Sequence, residues 1–129
     1  MKLKQKTQFD TEKIKRKVRK ANIESLSGAG AYIRRVARNK IIQSPNSAPV
    51  GSAPHSRWGQ LKKSLLFGVD RQRNSVVIGP AASLIGQSMV AHEYGGKYRK
   101  ERYPRRPLMG PSLQQSRSRL PAMWADSVK

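Results

Sequence analysis

The sequence has 129 residues and a formal net charge of +20, from 27 Lys and Arg against 7 Asp and Glu. A chain of this length is expected to form one domain around one core, and so large an excess of cations repels itself, which points to an anionic partner: nucleic acid, a lipid surface or an acidic protein. There is no cysteine, which excludes a disulfide framework, a thiolate metal site and a thiol nucleophile; nor does any apolar run approach the ~20 residues that span a bilayer.

Residues 1–9 read as a basic N-terminal arm ahead of a single α+β domain over 10–129. The start, Met1-Lys2-Leu3-Lys4-Gln5-Lys6, leads into Thr7-Gln8-Phe9-Asp10 and not into the apolar stretch of a secretory signal. From about Phe9, with Asp10 or Thr11 as cap, Ile14, Val18, Ala21, Ser25, Ala29, Ile33, Val36 and Ala37 recur largely at steps of three or four. That stripe predicts a long amphipathic helix ending near Ile42. Gly28 and Gly30 lie inside it, each costing about 1 kcal/mol relative to Ala, so a kink or a close contact is expected there. Lys13, Lys15, Arg16, Lys17, Arg19 and Lys20 surround the stripe, with Arg34, Arg35, Arg38 and Lys40 further on.

Residues 44–59 hold three prolines, two glycines and four serines, which prevents a continuous helix or a central strand. A loop this long is either functional or mobile, and it and the arm are candidates for ordering only on assembly. Gln60 to Leu65 reads as a helical turn or the start of a strand. Leu65–Val69 and Ser75–Gly79, on either side of the polar Asp70–Asn74, predict a hairpin. Ala81 to Met89 shows no clear pattern. Met89–Tyr94 predicts a short helix stopped by Gly95-Gly96.

Lys97 to Arg106 is a second basic cluster, six Lys and Arg to one Glu. Tyr98 and Tyr103 within it either stack on bases or pack in a core or interface. Pro104, Pro107 and Pro111 punctuate the stretch from the end of this cluster onward, and Leu113, Leu120, Met123 and Trp124 suggest a terminal helix interrupted at Pro121. The fold expected is therefore α+β: a long N-terminal helix packed on a small, mostly antiparallel sheet, with a C-terminal helix nearby.

Catalytic chemistry finds little to stand on. The histidines are His55 and His92, and the acids are Asp10, Glu12, Glu24, Asp70, Glu93, Glu101 and Asp126. His92-Glu93 is half of a zincin signature without its second histidine, and there is no G-x-S-x-G elbow or P-loop. The expectation is a protein that is not an enzyme, with no catalytic, cofactor-binding or metal-binding residue and no cofactor. The basic clusters say more. A merely solvated helix face mixes signs, whereas Glu12 is the one acid close to Lys13–Lys20. Lys13, Arg16, Lys17, Arg19 and Lys20, with Lys97, Arg99, Lys100 and Arg102, are the candidate contacts to a phosphate backbone or to an acidic protein. No zinc-finger spacing, RNP motif or bZIP register supports base reading, so any nucleic-acid binding is expected to be non-specific.

Three motifs occur in a fixed order. The first is Pro49-Val50-Gly51 and then Trp58-Gly59-Gln60-Leu61-Lys62-Lys63-Ser64-Leu65; the second is Ala91-His92-Glu93-Tyr94-Gly95-Gly96; the third is Tyr103-Pro104-Arg105-Arg106-Pro107-Leu108-Met109-Gly110-Pro111-Ser112-Leu113. A long basic helix precedes them, and a strand ending in Gly79-Pro80 lies between the first two. Over roughly residues 10–125 this arrangement resembles the small neck or tail-completion proteins of tailed bacteriophages. The sequence departs from their pattern in the inserted Ser52-Ala53-Pro54-His55-Ser56-Arg57, in Gly96 where Thr is common, in Leu108-Met109 for Phe-Leu, and in Ser112 for Ala.

The resemblance implies a structural virion protein forming a ring, a hexamer, at the head–tail junction. It would be assembled in the host cytoplasm and incorporated into the virion. It would join the tail tube protein to a head-completion, stopper or adaptor protein, surround double-stranded DNA, and have no membrane partner. It singles out Gly59, Leu61, Ser64, Glu93, Gly95, Arg105, Arg106, Pro107 and Pro111 as motif or interface positions. Physically, Gly59 permits a sharp turn before Leu61 and Leu65, which are expected to pack on the sheet; Glu93 either pairs with Arg105 or Arg106 or stays exposed; and Pro111 suits a first helical turn. The alternative from composition alone is a free, non-sequence-specific nucleic-acid-binding protein that uses 1–20 and 97–106 as phosphate clamps.

Overall fold

A computed structural model describes residues 2–81, 83 and 89–125; most of the patternless 81–89 stretch, and Asp126, lie outside the described residues. Helix α1 spans Lys2–Lys40, followed by α2 (Gln60–Ser64), β1 (Leu65–Asp70), β2 (Ser75–Pro80), α3 (Met89–Tyr94), β3 (Gly96–Tyr98), β4 (Glu101–Tyr103) and α4 (Met109–Ser116). A 3-10 turn over Arg117–Arg119 leads into α5 (Leu120–Trp124). The architecture is α+β, with the long N-terminal helix packed on a small antiparallel sheet and helices at the C-terminal end.

The backbone of α1 is already helical at Lys2, so residues 2–9 continue the helix and do not form a separate arm, and no helix start exists at Asp10 or Thr11 for either to cap. Ala21, Ser25, Ala29, Ile33, Ala37 and Ile41 are all buried, one residue in every four. A step of four overshoots a full turn by roughly 40°, so this line winds through roughly 200° and meets different partners along its length. Near its start, Ser25 Oγ donates to the Met123 carbonyl (3.0 Å) and Trp124 Nε1 donates to Asn22 Oδ1 (3.0 Å), which docks α5. Near its end, Ala37 and Ile41 close a core with Leu61, Leu65 and Leu108.

Between residues 11 and 20 the same line has no buried continuation. Residues 11–20 are all exposed, including Ile14 (59%) and Val18 (45%). These two were expected on the core-facing stripe, but among the described residues they stay exposed, because the hairpin and α5 are held by the later turns of α1.

Strands β1 and β2 pair antiparallel from Leu65 opposite Pro80 to Asp70 opposite Ser75. Asp70 Oδ1 ties their turn by accepting from the Gln72 and Arg73 amides (3.1 and 3.2 Å), and Asn74 takes a left-handed φ of 49°. Arg34 Nε anchors the hairpin to α1 through the Leu65 carbonyl (2.6 Å). Leu61 and Leu65 are buried as expected, but chiefly against Ala37, Ile41 and Leu108, at the junction of helices.

The 44–59 loop is held within the single chain. Ser56 N donates to the Ile42 carbonyl (2.9 Å) and Ser44 N to the Ser56 carbonyl (3.1 Å), closing the loop at its base. Gly51 N donates to the Arg105 carbonyl (2.8 Å), and Arg106 Nε donates to the Ala48 carbonyl (2.7 Å).

The two glycines in α1 have different reasons to exist. A Cβ on Gly30 would lie 2.7 Å from both Phe67 Cδ2 and Val76 Cγ2, so the hairpin approaches α1 where only glycine fits, while a Cβ on Gly28 would meet nothing within 4 Å. Gly28→Ala is expected to stabilise the fold by up to about 1 kcal/mol through helix propensity. Gly30→Ala is expected to destabilise it by about 1–3 kcal/mol through overpacking. Urea unfolding of the two variants checks both signs.

Candidate anionic-partner interface and the junction behind it

The three sequence motifs meet at one junction, and Glu93 is its centre. The first four amides of a helix have no partner inside it. In α4 these are Leu108, Met109, Gly110 and position 111. Glu93 Oε1 accepts from Leu108 N (3.0 Å) and Met109 N (2.7 Å), and Oε2 accepts from Gly110 N (3.3 Å). Position 111 is proline and has no amide to satisfy. The carboxylate also sits at the positive end of the helix dipole.

Of the two alternatives for Glu93, neither describes it: it does not pair with Arg105 or Arg106, and it is half-buried and not left exposed. Both carboxylate oxygens are taken by amides. Arg105 Nε reaches only the Glu93 main-chain carbonyl (3.4 Å), and Arg106 turns its guanidinium to Ala48.

The other motif positions serve the same junction. Gly59 is buried with φ 81° and starts α2. Ser56 Oγ accepts from Leu61 N (3.1 Å), and Ser64 Oγ donates to the Leu61 carbonyl (2.7 Å). Gly95 has φ 76°, which turns the chain out of α3 into β3, and its position beside Arg105 leaves room for a compact bend. Arg106 N donates to the His92 carbonyl (2.6 Å), and Pro107 and Leu108 are buried behind it. Pro111 is the third residue of α4, in its first turn as expected. Ser112 is fully buried and donates to the Leu108 carbonyl (2.6 Å).

The second basic cluster forms a small hairpin that sequence reasoning missed: β3 and β4 pair from Gly96 opposite Tyr103 to Tyr98 opposite Glu101, with Arg99 at φ 59° in the turn. Lys97, Arg99, Lys100 and Arg102 are all exposed. Tyr103 packs edge-on against His92 (4.8 Å between ring centres) and beside Tyr98, and Arg99 covers the Tyr98 ring. Of the two roles left open for these tyrosines, packing is the one this arrangement displays. The Tyr103 phenol is raised above its usual range by desolvation and then by Glu101, to which it donates a hydrogen bond (3.3 Å).

The first cluster is more extensive than expected. At roughly 100° per residue, Lys13, Arg16, Lys17 and Lys20 fall within one arc of roughly 100°, while Arg19 points elsewhere. Eighteen residues make five turns, so Ala31, Arg34, Arg35 and Arg38 return to the same arc. Arg34, Arg35, Arg38, Asn39 and Lys62 line a cavity of about 380 Å³ at that end. Arg19 and Lys20 line another of about 550 Å³ with Arg71 of the hairpin turn. Lys13 to Arg38 thus mark a basic line of about 38 Å along α1, broken by Glu24. The 18-residue spacing was the available signal for adding Arg34, Arg35 and Arg38. The two basic clusters stand on separate elements.

Among the described residues two ion pairs occur, Lys15 with Glu12 (3.6 Å) and Arg73 with Asp70 (3.8 Å), both at the surface. Among the same residues no three His, Asp or Glu side chains gather as metal ligands, and no helix is long and apolar enough to cross a membrane. Compared with known proteins, the chain matches no family model, no curated protein and no solved structure.

Replacing Glu93 with Ala should cost about 2–4 kcal/mol, since it strips a charged acceptor from three amides. Arg105→Gln should cost under about 0.5 kcal/mol; thermal denaturation of both checks the contrast. A second expectation concerns His92, whose pKa is lowered from 6.5 by burial and then by Arg106. The folded protein binds that proton less readily than the unfolded chain, so the stability it contributes is intact above about pH 6.5 and falls as pH drops below it. His92→Gln should flatten the fall in melting temperature between pH 7 and 5.

Proposed function

We propose that the protein is a structural, non-enzymatic virion component of a tailed phage that assembles as a ring at the head–tail junction and presents the basic line of α1 to DNA or to acidic neighbours. The observation that carries the reading is that line: Lys13, Arg16, Lys17, Lys20, Arg35 and Arg38 on one arc, with Arg34 beside them tied to the Leu65 carbonyl, over a length close to the ~34 Å of one DNA turn. Such a surface holds phosphates without reading bases.

Two further observations support it. Ile14 and Val18 sit exposed one turn apart beside the basic line, as a helix awaiting a neighbour would show them. The three phage-like motifs, distant in sequence, converge on the Glu93 junction, so they act as one unit that sets a rigid shape.

Charge constrains how the ring forms. Six chains of +20 would carry about +120 before counterions, so the free ring is disfavoured at low salt until a polyanion or acidic partner neutralises it. Sedimentation of the purified chain at low salt should therefore show monomers or small oligomers, and ring-sized particles should form on adding duplex DNA. In parallel, binding should weaken steeply with salt, and the variant K13Q/R16Q/K17Q/K20Q should reduce the slope of log K against log salt by about 3–4. A chain that stays monomeric while binding short duplexes tightly would instead establish the free nucleic-acid-binding reading, and a stable hexamer alone at low salt would overturn the charge argument.

A further inference from the structure

The 44–59 loop forms one wall of a second basic site, away from the α1 line. A cavity of about 180 Å³ is bounded by Ser44, Asn46, Ser47, His55 and Arg57 on the loop, by His92 on α3 and by Arg106 on the segment entering α4. That is well above the ~10–15 Å³ one water needs. Among the described residues no carboxylate lines it. The nearest acid in sequence, Glu93, is turned onto the α4 amides.

Its side chains are held in place. His55 Nδ1 donates to the Asn46 carbonyl (2.9 Å), and Asn46 N in turn donates to Ser44 Oγ (3.2 Å). Arg106 Nε is fixed on Ala48, which leaves the terminal guanidinium nitrogens as the donors available to the cavity. Arg57 packs over the Trp58 ring (5.3 Å). His92 is braced edge-on by Tyr103, and its Nδ1 is buried without a hydrogen-bond partner. An orphaned buried acceptor is cheaper than an orphaned buried donor in an electropositive site, which favours the tautomer with Nε2–H as the donor.

Two guanidiniums exclude a cation, and two imidazoles without a carboxylate make a poor metal set. The donors instead match an oxyanion, which accepts several hydrogen bonds at once and benefits from both arginines. We propose that this cavity is a phosphate-binding site formed by His55, Arg57, His92 and Arg106. The ligand is a phosphate group, supplied either as free inorganic phosphate or by a nucleic-acid backbone. The site is independent of the α1 surface and of ring formation.

The test is a titration of the full-length protein with inorganic phosphate at constant ionic strength, followed through the His55 and His92 ring signals by NMR and by calorimetry. Binding is expected to saturate at one phosphate per chain, to shift both histidine signals and to raise the pKa of His92. Arg57→Gln should weaken it about tenfold, the loss of one charge-assisted hydrogen bond, while Arg117→Gln, which removes one exposed charge elsewhere, should leave it unchanged. A short duplex that moves both histidines in the same way assigns the ligand to a nucleic-acid backbone; a duplex that moves neither assigns it to free phosphate. Histidine signals that respond no more to phosphate than to chloride, or equal weakening by both arginine variants, would overturn the site.

Discussion

The fold depends on one carboxylate. Glu93 closes the N-terminus of α4 in place of a local cap, and the cap position itself, Leu108, is apolar and fully buried. A serine or aspartate at 108 would have capped α4 locally but would have removed a side chain from the core beside Ile41 and Leu65. Capping from a distance resolves that conflict. It lets position 108 be apolar, lets position 111 be proline, and binds α3 to α4 through charge-assisted hydrogen bonds. Because Glu93 fixes α4, the Arg106 amide meets the His92 carbonyl and the Arg106 side chain reaches Ala48, so the long loop inherits its position from the same contact.

Small side chains do the rest of the positioning. Ser112 and Ser116 on α4 and Ala21, Ser25, Ala29 and Ala37 on α1 are buried, and they allow helices to approach where larger residues would hold them apart. Each buried hydroxyl on α4 returns its proton to a carbonyl one turn earlier, so polar atoms enter the interior without being orphaned. A chain with few aromatic residues thus gains a close-packed interior by proximity more than by bulk. Gly30 is the extreme of the same strategy, with the Phe67 ring and Val76 resting almost on the helix backbone.

What the sequence made legible was whatever is local. The β1–β2 hairpin could be read from apolar runs around a polar turn, α3 from its glycine stop, and Pro111 from its tolerance of a first turn. What it hid was set by contacts across the chain. The partner of Glu93 lies fifteen to seventeen residues away and consists of backbone amides, which no side-chain pattern announces. The β3–β4 hairpin is three residues per strand and mostly charged, so it carries no alternation to read. Ile14 and Val18 obeyed the helical period faithfully. Periodicity reports that a face is apolar, not whether the same chain supplies something to cover it.

That distinction separates two parts of the molecule. From Ala21 onward, α1 is held by the hairpin, α5 and the Glu93 junction. Before it, an exposed stretch of helix carries Lys13, Lys15, Arg16, Lys17, Arg19 and Lys20 against Glu12. Isolated helices shorter than about 12–15 residues are marginal in water, and like charges three or four residues apart weaken them further. This stretch escapes the cost of nucleation because it extends a helix already anchored at Ala21, yet it gains no packing to offset its repulsion. On the proposed reading, a polyanion laid along the arc of Lys13, Arg16, Lys17 and Lys20 would remove that repulsion while leaving Ile14 and Val18 uncovered on the neighbouring face. Charge neutralisation would then lower the electrostatic barrier to any neighbour that covers those two side chains.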